Sequence, residues 1–205
     1  MPRRCATPAV TSTADQGEPR PSTAAIVLAA GGGTRFRGAG HKLLAELDGR
    51  PVIRHVVDAV LAAGLDEVIV VTGAVDLGGH LPPEVRVLHN ERWSEGLATS
   101  LQVGLVAAAE AGHEAVVVGL GDQPGLGSEP WRAVAGSQAP IAVATYGGRR
   151  RNPVRLHRDV WSLLPATGDE GARVLFGVRP DLVGEVPCEG EPTDVDTVED
   201  LDRWN

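Results

Sequence analysis

Short apolar runs separated by turn-forming residues recur along the chain from residue 23 onward. Thr23–Leu28, Glu67–Thr72 and Ala115–Leu120 are almost continuous apolar runs, rich in β-branched residues, a pattern typical of strands buried on both faces. Shorter runs predict three further strands, at Val85–Leu88, Ile141–Tyr146 and about Leu182–Val186. Strands without an alternating polar face predict a sheet that is covered by helices on both sides.

Helical spacing of apolar residues appears between these strands. From Pro51, a favourable first helical residue, the apolar positions repeat with helical period as far as Gly64. An alanine-rich helix follows the run Val85–Leu88, with Leu97, Leu101 and Leu105 along one side. Further helices are predicted at about Arg158–Leu164, at Glu170–Phe176 and after Thr197, whereas Gly147–Val154 is expected to be a turn and a basic segment. Strands alternating with helices predict a Rossmann-like α/β fold, with a mostly parallel sheet flanked by helices.

Length and composition fit one such domain. The chain has 205 residues, of which 42% are hydrophobic, enough for a single well-buried core. We expect residues 1–22, rich in Pro, Thr, Ser and Arg, to be a disordered tail, and residues 23–205 to be the domain. The tail has no apolar segment typical of a secretory signal.

Charge and cysteine content narrow the classes of function. A net charge of −8 argues against a nucleic-acid-binding protein, which needs an extended basic surface. No apolar run approaches the roughly 18 residues of a membrane span. The two cysteines, Cys5 and Cys188, are not expected to form a disulfide, so a cytoplasmic location is predicted.

A glycine-rich loop directly follows the first strand. Its glycines let the backbone approach a phosphate group closely, and Arg35, Arg37 and Lys42 can neutralise polyphosphate charge. Lys42 is the only lysine in the chain, beside 18 arginines. Two commoner phosphate loops fit poorly, because Phe36 stands where the dinucleotide motif needs glycine, and Ala39 stands where the P-loop needs lysine. The loop therefore predicts a triphosphate site of another type, the alternative being a flexible turn.

Six motifs in sequence resemble one known family. They are LAAGGGTRF with HKLL (residues 28–44), NERWSEGL (90–97), GDQP (121–124), RNPV (151–154), GDEGAR (168–173) and DVDT (194–197). The chain from Thr23 to Trp204 thereby resembles the MobA-like NTP transferases, and especially their molybdopterin cytidylyltransferase branch. Two departures concern the loop: Gly32 stands where many members have a basic residue, and Gly38–Gly40 lengthens the loop.

The resemblance implies a nucleotide-diphospho-sugar transferase type of fold and a reaction. CMP would pass from CTP to the terminal phosphate of molybdopterin, with release of pyrophosphate and with Mg²⁺ or Mn²⁺ as cofactor. The Ala29–Ala30 pair favours CTP over GTP. Possible partners are a phosphorylated pterin and a client molybdenum enzyme, with no nucleic acid and no membrane.

The resemblance also implies roles for particular residues. Arg35 and Lys42 would be catalytic, and Asp122 and Asp196 would hold the metal, with Asp194 as a weaker third candidate. Asp122 follows a buried strand, and we expect Asp196 to end a closing strand, where α/β sheets bind ligands; a turn or helix cap is the alternative for both. The acceptor would contact Arg151, Asn152, Pro153, Asp169 and Arg173. The nucleotide would contact Leu28, Ala29, Ala30, Gly31, Gly32, Gly33, Thr34, Asn90, Ser94, Gly96 and Ser100.

Several alternatives stay open at this point. Ser94 and Asn90 are also suited to helix capping and to a turn. The same site could use another NTP or a different acceptor, such as a sugar phosphate. An oxidoreductase would need a dinucleotide fingerprint, against which Phe36 counts. A non-catalytic chaperone that delivers a cofactor would have no need of Lys42, Asp122 and Asp196 together.

Overall fold

The computed structural model describes residues 22–204, which form a seven-stranded sheet with helices on both faces. The predicted disordered tail lies almost entirely outside the described residues. The strands are β1 (Thr23–Ala29), β2 (Glu46–Leu47), β3 (Arg50–Pro51), β4 (Glu67–Thr72), β5 (Arg86–His89), β6 (Ala115–Leu120), β7 (Ile141–Tyr146), β8 (Arg149–His157) and β9 (Val183–Pro187). The helices are α1 (Val52–Ala63), α2 (Leu97–Glu110), α3 (Ser128–Ala135), α4 (Arg173–Val178) and α5 (Val198–Asp202).

The sheet has the order β5-β4-β1-β6-β8-β7-β9. All neighbours pair in parallel except β8, which runs antiparallel to both β6 and β7. The short strands β2 and β3 form a separate hairpin. A mostly parallel, single-domain α/β fold is therefore confirmed.

Helices cover both faces of the central strands, which explains the continuous apolar runs. On one face, Ile26 and Leu28 of β1 pack with Leu101 and Leu105 of α2. On the other face, Ala25, Val27 and Ala29 of β1 pack against α1 and against Trp131 of α3. The helices on both faces hold β1 in place. The carboxyl end of β1 therefore has a fixed position, and the glycine loop begins there.

Two local predictions were wrong, and one helix was not predicted. The basic segment predicted at 147–154 is mostly strand β8. Its exposed arginines, Arg149–Arg151, form the first part of the strand, before the buried part. Helix α3 was not predicted, because it has only eight residues and contains a proline. Asp196 does not end a strand; residues 191–196 have no regular structure, and Thr197 caps the helix that follows.

The remaining differences are small. The region expected to be helical at 158–164 is a 3₁₀ helix, Arg158–Leu163. The predicted helix at 170–176 begins at Arg173 and ends at Val178. Cys188 is a free thiol. Between residues 22 and 204, no helix is both long and apolar enough to cross a membrane.

Candidate active site

The main cleft, of about 420 Å³, lies at the carboxyl end of the central strands. This edge is where open α/β sheets bind ligands. Its wall combines the glycine loop after β1, the start of α2 and four aspartates. The lining residues are Leu28, Ala29, Ala30, Gly31, Gly32, Gly33, Thr34, Arg35, Lys42, Leu43, Trp93, Ser94, Gly96, Leu97, Ser100, Leu120, Asp122, Asp169, Asp194 and Asp196.

The glycine loop presents free backbone donors to this cleft. Leu28 and Ala30 anchor its base, since their carbonyls accept from the N–H groups of Gly121 and Ala74. Gly33 has a φ of +60°, and its carbonyl accepts from Phe36 N–H at 2.9 Å to close a turn. The N–H groups of Gly31, Gly32 and Gly33 make no hydrogen bond to any residue in the described part of the chain. Unpaired N–H groups of this kind are suited to binding an anion.

Lys42 joins the two aspartates expected to hold the metal. Its Nζ donates to Asp122 Oδ2 at 2.5 Å and to Asp196 Oδ1 at 2.9 Å, and the Lys42 side chain is only 12% exposed. Burial alone would lower the pKa of Lys42, but the attraction and hydrogen bonds of Asp122 and Asp196 outweigh it and raise that pKa. The ammonium therefore keeps its charge at neutral pH.

Arg35 extends this cluster toward solvent. Its guanidinium contacts Asp196 Oδ2 at 2.9 Å, while its side chain remains 75% exposed. An exposed arginine at the mouth of the cleft is free to turn toward a bound anion. The structure thus brings both predicted catalytic cations to the predicted metal-binding aspartates.

A third aspartate is held nearby by a residue that the sequence did not single out. Gln123 Nε2 donates to Asp194 Oδ1 at 2.7 Å and to the carbonyl of Pro192 at 3.1 Å. Val195 N–H also donates to the Asp122 carbonyl at 2.8 Å. These bonds, rather than strand pairing, attach the segment that carries Asp194 and Asp196 to the end of β6.

The carboxylates carry more negative charge than their partners offset. Burial, and then repulsion from Asp122 and Asp196, raise the pKa of Asp194. Asp122 Oδ1 is buried and has no hydrogen-bond partner. Carboxylate oxygens in excess, one of them unpaired, fit a hard divalent cation. Even so, no set of three or more His, Cys, Asp or Glu within residues 22–204 is already arranged as a metal centre.

The residues expected to contact the nucleotide divide into two groups. Ser94, Gly96 and Ser100 line the cleft. Asn90 does not line it: its amide donates to Thr99 and Ser100, and its oxygen accepts from Arg92 N–H, so its main hydrogen-bonding capacity is used within the protein. Asn90 is therefore placed to position Ser100 rather than to contact a ligand.

Trp93 also lines the cleft, although sequence analysis did not include it among the site residues. A Cβ atom added to Gly32 would lie 3.1 Å from the Trp93 ring, and one added to Gly73 would lie 2.6 Å from Trp93 Cβ. The indole thus packs closely against the glycine loop. A side chain at position 32 would therefore require the Trp93 ring to shift slightly.

The predicted acceptor residues surround two adjoining clefts of about 220 and 690 Å³. Arg151, Asn152 and Arg173 line both of these clefts, and Asp169 links the smaller one to the main cleft. Asp169 also accepts a long hydrogen bond, 3.3 Å, from Leu97 N–H at the start of α2. Pro153 is buried within β8 and lines none of these clefts, so it contributes to the strand's shape rather than to the surface.

One wall of the smaller acceptor cleft is apolar. Leu101, Val118 and Phe176 belong to it, and the Arg150 guanidinium carbon lies 5.8 Å from the centroid of the Phe176 ring. Neither Arg150 nor Phe176 was among the predicted site residues. Their side chains meet only through the pairing of β8 with the sheet and the packing of α4, which no local motif indicates.

Comparison with known proteins agrees with this geometry. A family model described as the MobA-like NTP transferase domain matches residues 25–183. The chain belongs to this family. The resemblance to the MobA-like NTP transferases is thereby confirmed, and the protein is an enzyme of the nucleotidyltransferase type.

Individual relatives carry different names. A curated relative, nicotine blue oxidoreductase of Paenarthrobacter nicotinovorans, is 34% identical over 200 residues, which are 89% of this chain and 96% of the relative. A nucleotidyl transferase of Methanothermobacter superposes with a TM-score of 0.74 at 26% identity, covering 89% of this chain and 97% of its own.

A third relative has been solved with a bound metal. Rv0371c of Mycobacterium tuberculosis superposes with a TM-score of 0.80 at 27% identity, covering 91% of this chain and 98% of its own. A second structure of that protein, a complex with manganese, superposes with a TM-score of 0.75 and covers 89% of this chain and 97% of its own.

Proposed function

We propose that this enzyme transfers CMP from CTP to the terminal phosphate of a molybdopterin-type acceptor and releases pyrophosphate. The observation that carries the proposal is the cluster of Lys42, Asp122 and Asp196, which lines one cleft together with three glycines whose N–H groups are unpaired in the described part of the chain. Donors, a buried cation and paired carboxylates are the groups that phosphoryl transfer requires, because its catalysis is mainly positioning and electrostatics.

In the proposed reaction, an oxygen of the acceptor phosphate attacks the α-phosphorus of CTP in line with the departing oxygen. A new P–O bond joins the cytidylate to the acceptor, and the α–β phosphoanhydride bond breaks. The glycine N–H groups hold the triphosphate, while Lys42 and Arg35 stabilise the negative charge that develops on the pyrophosphate. No protein nucleophile is needed for this displacement.

A divalent cation completes the proposed site. Asp122 and Asp196 would hold it, and the unpaired Asp122 Oδ1 supplies a donor atom without breaking an existing hydrogen bond. When bound, Mg²⁺ or Mn²⁺ neutralises phosphate charge and makes the α-phosphorus more electrophilic. Manganese in the Rv0371c complex supports a divalent ion in this family.

The acceptor clefts support a flat, phosphorylated ring as the second substrate. Arg151 and Arg173 offer charge for a phosphate, and the wall formed by Leu101, Val118 and Phe176 offers an apolar face for a ring. A sugar phosphate would gain less from that apolar wall. The choice of cytosine rests on the small, buried Ala29–Ala30 pair, which resembles the cytidine-selecting version of the motif.

The name of one relative, nicotine blue oxidoreductase, favours a second candidate, an oxidoreductase. In that case the apolar wall and the arginines of the smaller acceptor cleft would hold an aromatic substrate. A redox role, however, leaves the pairing of Lys42 with Asp122 and Asp196 without a chemical purpose. Oxidation of NADH or NADPH in the presence of an aromatic dye, with no pyrophosphate release from any NTP, would favour this candidate.

Pyrophosphate release tests the proposal. The purified protein would be assayed with each of the four NTPs, with molybdopterin, with a sugar phosphate or with neither, in Mg²⁺, in Mn²⁺ and in EDTA. We expect release only when CTP, the pterin and a metal are all present. Release with a sugar phosphate instead would replace the acceptor, release with GTP would replace the nucleotide, and tight NTP binding without any release would favour the cofactor-delivery chaperone.

A further inference from the structure

A histidine at the far end of the glycine loop makes two hydrogen bonds that hold the loop's shape. His41 Nε2 lies 2.9 Å from the Gly31 carbonyl oxygen, and its Nδ1 lies 3.3 Å from Leu43 N. The imidazole thus joins the first glycine of the loop to the short 3₁₀ helix Lys42–Leu44 that carries the lysine.

These two partners specify the protonation state of the ring. A backbone carbonyl can only accept, so Nε2 must carry a proton, and a backbone N–H can only donate, so Nδ1 must be free of one. This pair of hydrogen bonds therefore requires the Nε2–H tautomer of His41. A doubly protonated ring would lose the bond from Leu43.

The bond to Gly31 also sets the direction of a donor. The Gly31–Gly32 peptide is trans, since the only cis bond within residues 22–204 precedes Pro153. In a trans peptide the C=O and the following N–H point in opposite directions. Because the Gly31 carbonyl is held toward His41, the Gly32 N–H points away from the His41 ring.

The packing around the ring is tight enough to keep this arrangement. A Cβ atom added to Gly33 would lie 3.1 Å from His41 Nε2 and 3.4 Å from Lys42 Cγ. By contrast, residues 34–40 contain no helix or strand, and most of them are exposed. Apart from His41, the described residues close this stretch mainly through the bond from Phe36 N–H to Gly33.

We propose that His41 is a positioning residue, which holds the Gly31–Gly33 backbone in the conformation that binds the triphosphate. This inference rests on the proposed function, because it concerns the same loop. The residue acts through the backbone and does not itself contact the reacting atoms.

Two substitutions separate the two hydrogen bonds of the ring. The amide of His41→Asn can accept from Leu43 N–H, as asparagine does at helix starts, but it is too short to reach the Gly31 carbonyl. The longer amide of His41→Gln can donate to Gly31 from near the position of Nε2. His80→Gln, at an exposed histidine outside the clefts described above, is the matched control.

We expect His41→Asn to raise the Kd and the KM for the NTP about 3- to 10-fold, the effect of one lost hydrogen bond. Its kcat and melting temperature should change little, and His41→Gln should recover most of the affinity. Calorimetric titration and steady-state kinetics would measure these quantities. Wild-type affinity in His41→Asn, or equal losses in the Asn and Gln variants, would overturn the inference.

A spectroscopic readout separates this inference from the proposed function. The ring ¹⁵N chemical shifts of His41 at pH 8, in protein without nucleotide, should report the Nε2–H tautomer. An Nδ1–H tautomer would refute the role of His41 whatever the enzyme binds. If the tautomer is as expected but the wild-type protein binds no NTP, the proposed function fails while the loop's structural explanation stands.

Discussion

Replacing Lys42 by methionine removes one charge from the centre of the site and keeps the length of the side chain. In the wild-type protein the ammonium is 2.5 Å from Asp122 Oδ2 and 2.9 Å from Asp196 Oδ1. The side chains of the two aspartates are only 14% and 23% exposed. Without the ammonium, two little-solvated carboxylates face each other.

The cost follows from that geometry. Because both oxygens contact one nitrogen, they are at most about 5.4 Å apart, and at an effective dielectric constant of about 20 they repel by about 3 kcal/mol. In the wild-type protein the attraction of the ammonium offsets this repulsion, and the substitution removes that attraction. Arg35 still offsets part of the charge on Asp196, so we expect a loss of about 2 kcal/mol in the free energy of unfolding. For a domain of this size, this is a fall of about 4–8 °C in melting temperature.

The pH dependence has a definite sign. Since the folded protein raises the pKa of Lys42, its stabilisation is fully present below the ordinary lysine pKa, about 10.4, and is lost as the pH rises through the raised value. The difference between wild type and Lys42→Met should therefore be full at pH 7 and should shrink above about pH 10.4. In strong acid it should shrink as well, once the carboxylates are protonated.

Thermal unfolding in EDTA and pyrophosphate release together test this reasoning. Removing an electrostatic donor of this type costs about 10²- to 10³-fold in kcat, far more than the modest loss of stability would cause at 25 °C. Arg54→Met is the matched control, because Arg54 pairs with Asp58 on the surface and should cost less than about 1 kcal/mol. Full kcat in Lys42→Met, with only its stability reduced, would show that Lys42 is purely structural.

Three further predictions concern the surrounding residues. Burial and the neighbouring carboxylates raise the pKa of Asp194, so its contribution to the free energy of unfolding is favourable in acid and is lost as the pH rises through the raised pKa. In EDTA, the melting temperature of Asp194→Asn should therefore be about 1–3 °C above that of the wild type at pH 7 and equal to it near pH 3. Gly96→Ala should lose about 2–4 kcal/mol, because φ is +111° and the new Cβ would lie 2.5 Å from the Gly168 carbonyl; denaturant unfolding would measure this, with the unhindered Gly79→Ala as control. Arg173→Ala should raise the KM for the acceptor about tenfold and leave the Kd for CTP unchanged, as kinetics and calorimetry would show.

The central part of the fold could be predicted from sequence because its signals are local. β1, β4 and β6 are buried on both faces, so their apolar runs are unbroken. Parallel strands place their carboxyl ends at one edge of the sheet, so the proximity of the glycine loop and Asp122 could be predicted from the sequence. The only lysine of an arginine-rich chain was a further local signal, and the structure places it between the expected aspartates.

Other features depend on contacts between distant residues and were missed. Arg149, Arg150 and Arg151 do not look like strand residues, yet they pair with Tyr146, Thr145 and Ala144 as the exposed extension of β8. The segment that carries Asp196 is held by the hydrogen bonds of Gln123 to Asp194 and of Val195 N–H to the Asp122 carbonyl. Asp196 is therefore held in position without belonging to a strand.

The role of Asn90 shows the same limit for a side chain. A polar residue in a family motif suggests a ligand contact, but Asn90 is 3% exposed and uses its amide on Thr99 and Ser100. His41 shows the reverse case, a residue beside the lysine whose importance is visible only from its bond to Gly31. In both cases hydrogen-bond partners, rather than motif membership, indicate the role.

The proposed function requires that the α-phosphate of a nucleoside triphosphate becomes joined to a phosphorylated acceptor. The most direct test is to incubate the enzyme with CTP labelled at the α-phosphorus, molybdopterin and Mg²⁺, and then to separate the products. We predict that the label appears in the pterin product, in equal amount to the pyrophosphate released, and that EDTA and Lys42→Met each prevent the transfer. Label that remains entirely in CTP, or that appears only in CDP or free CMP, would contradict the proposed transfer of CMP to the acceptor.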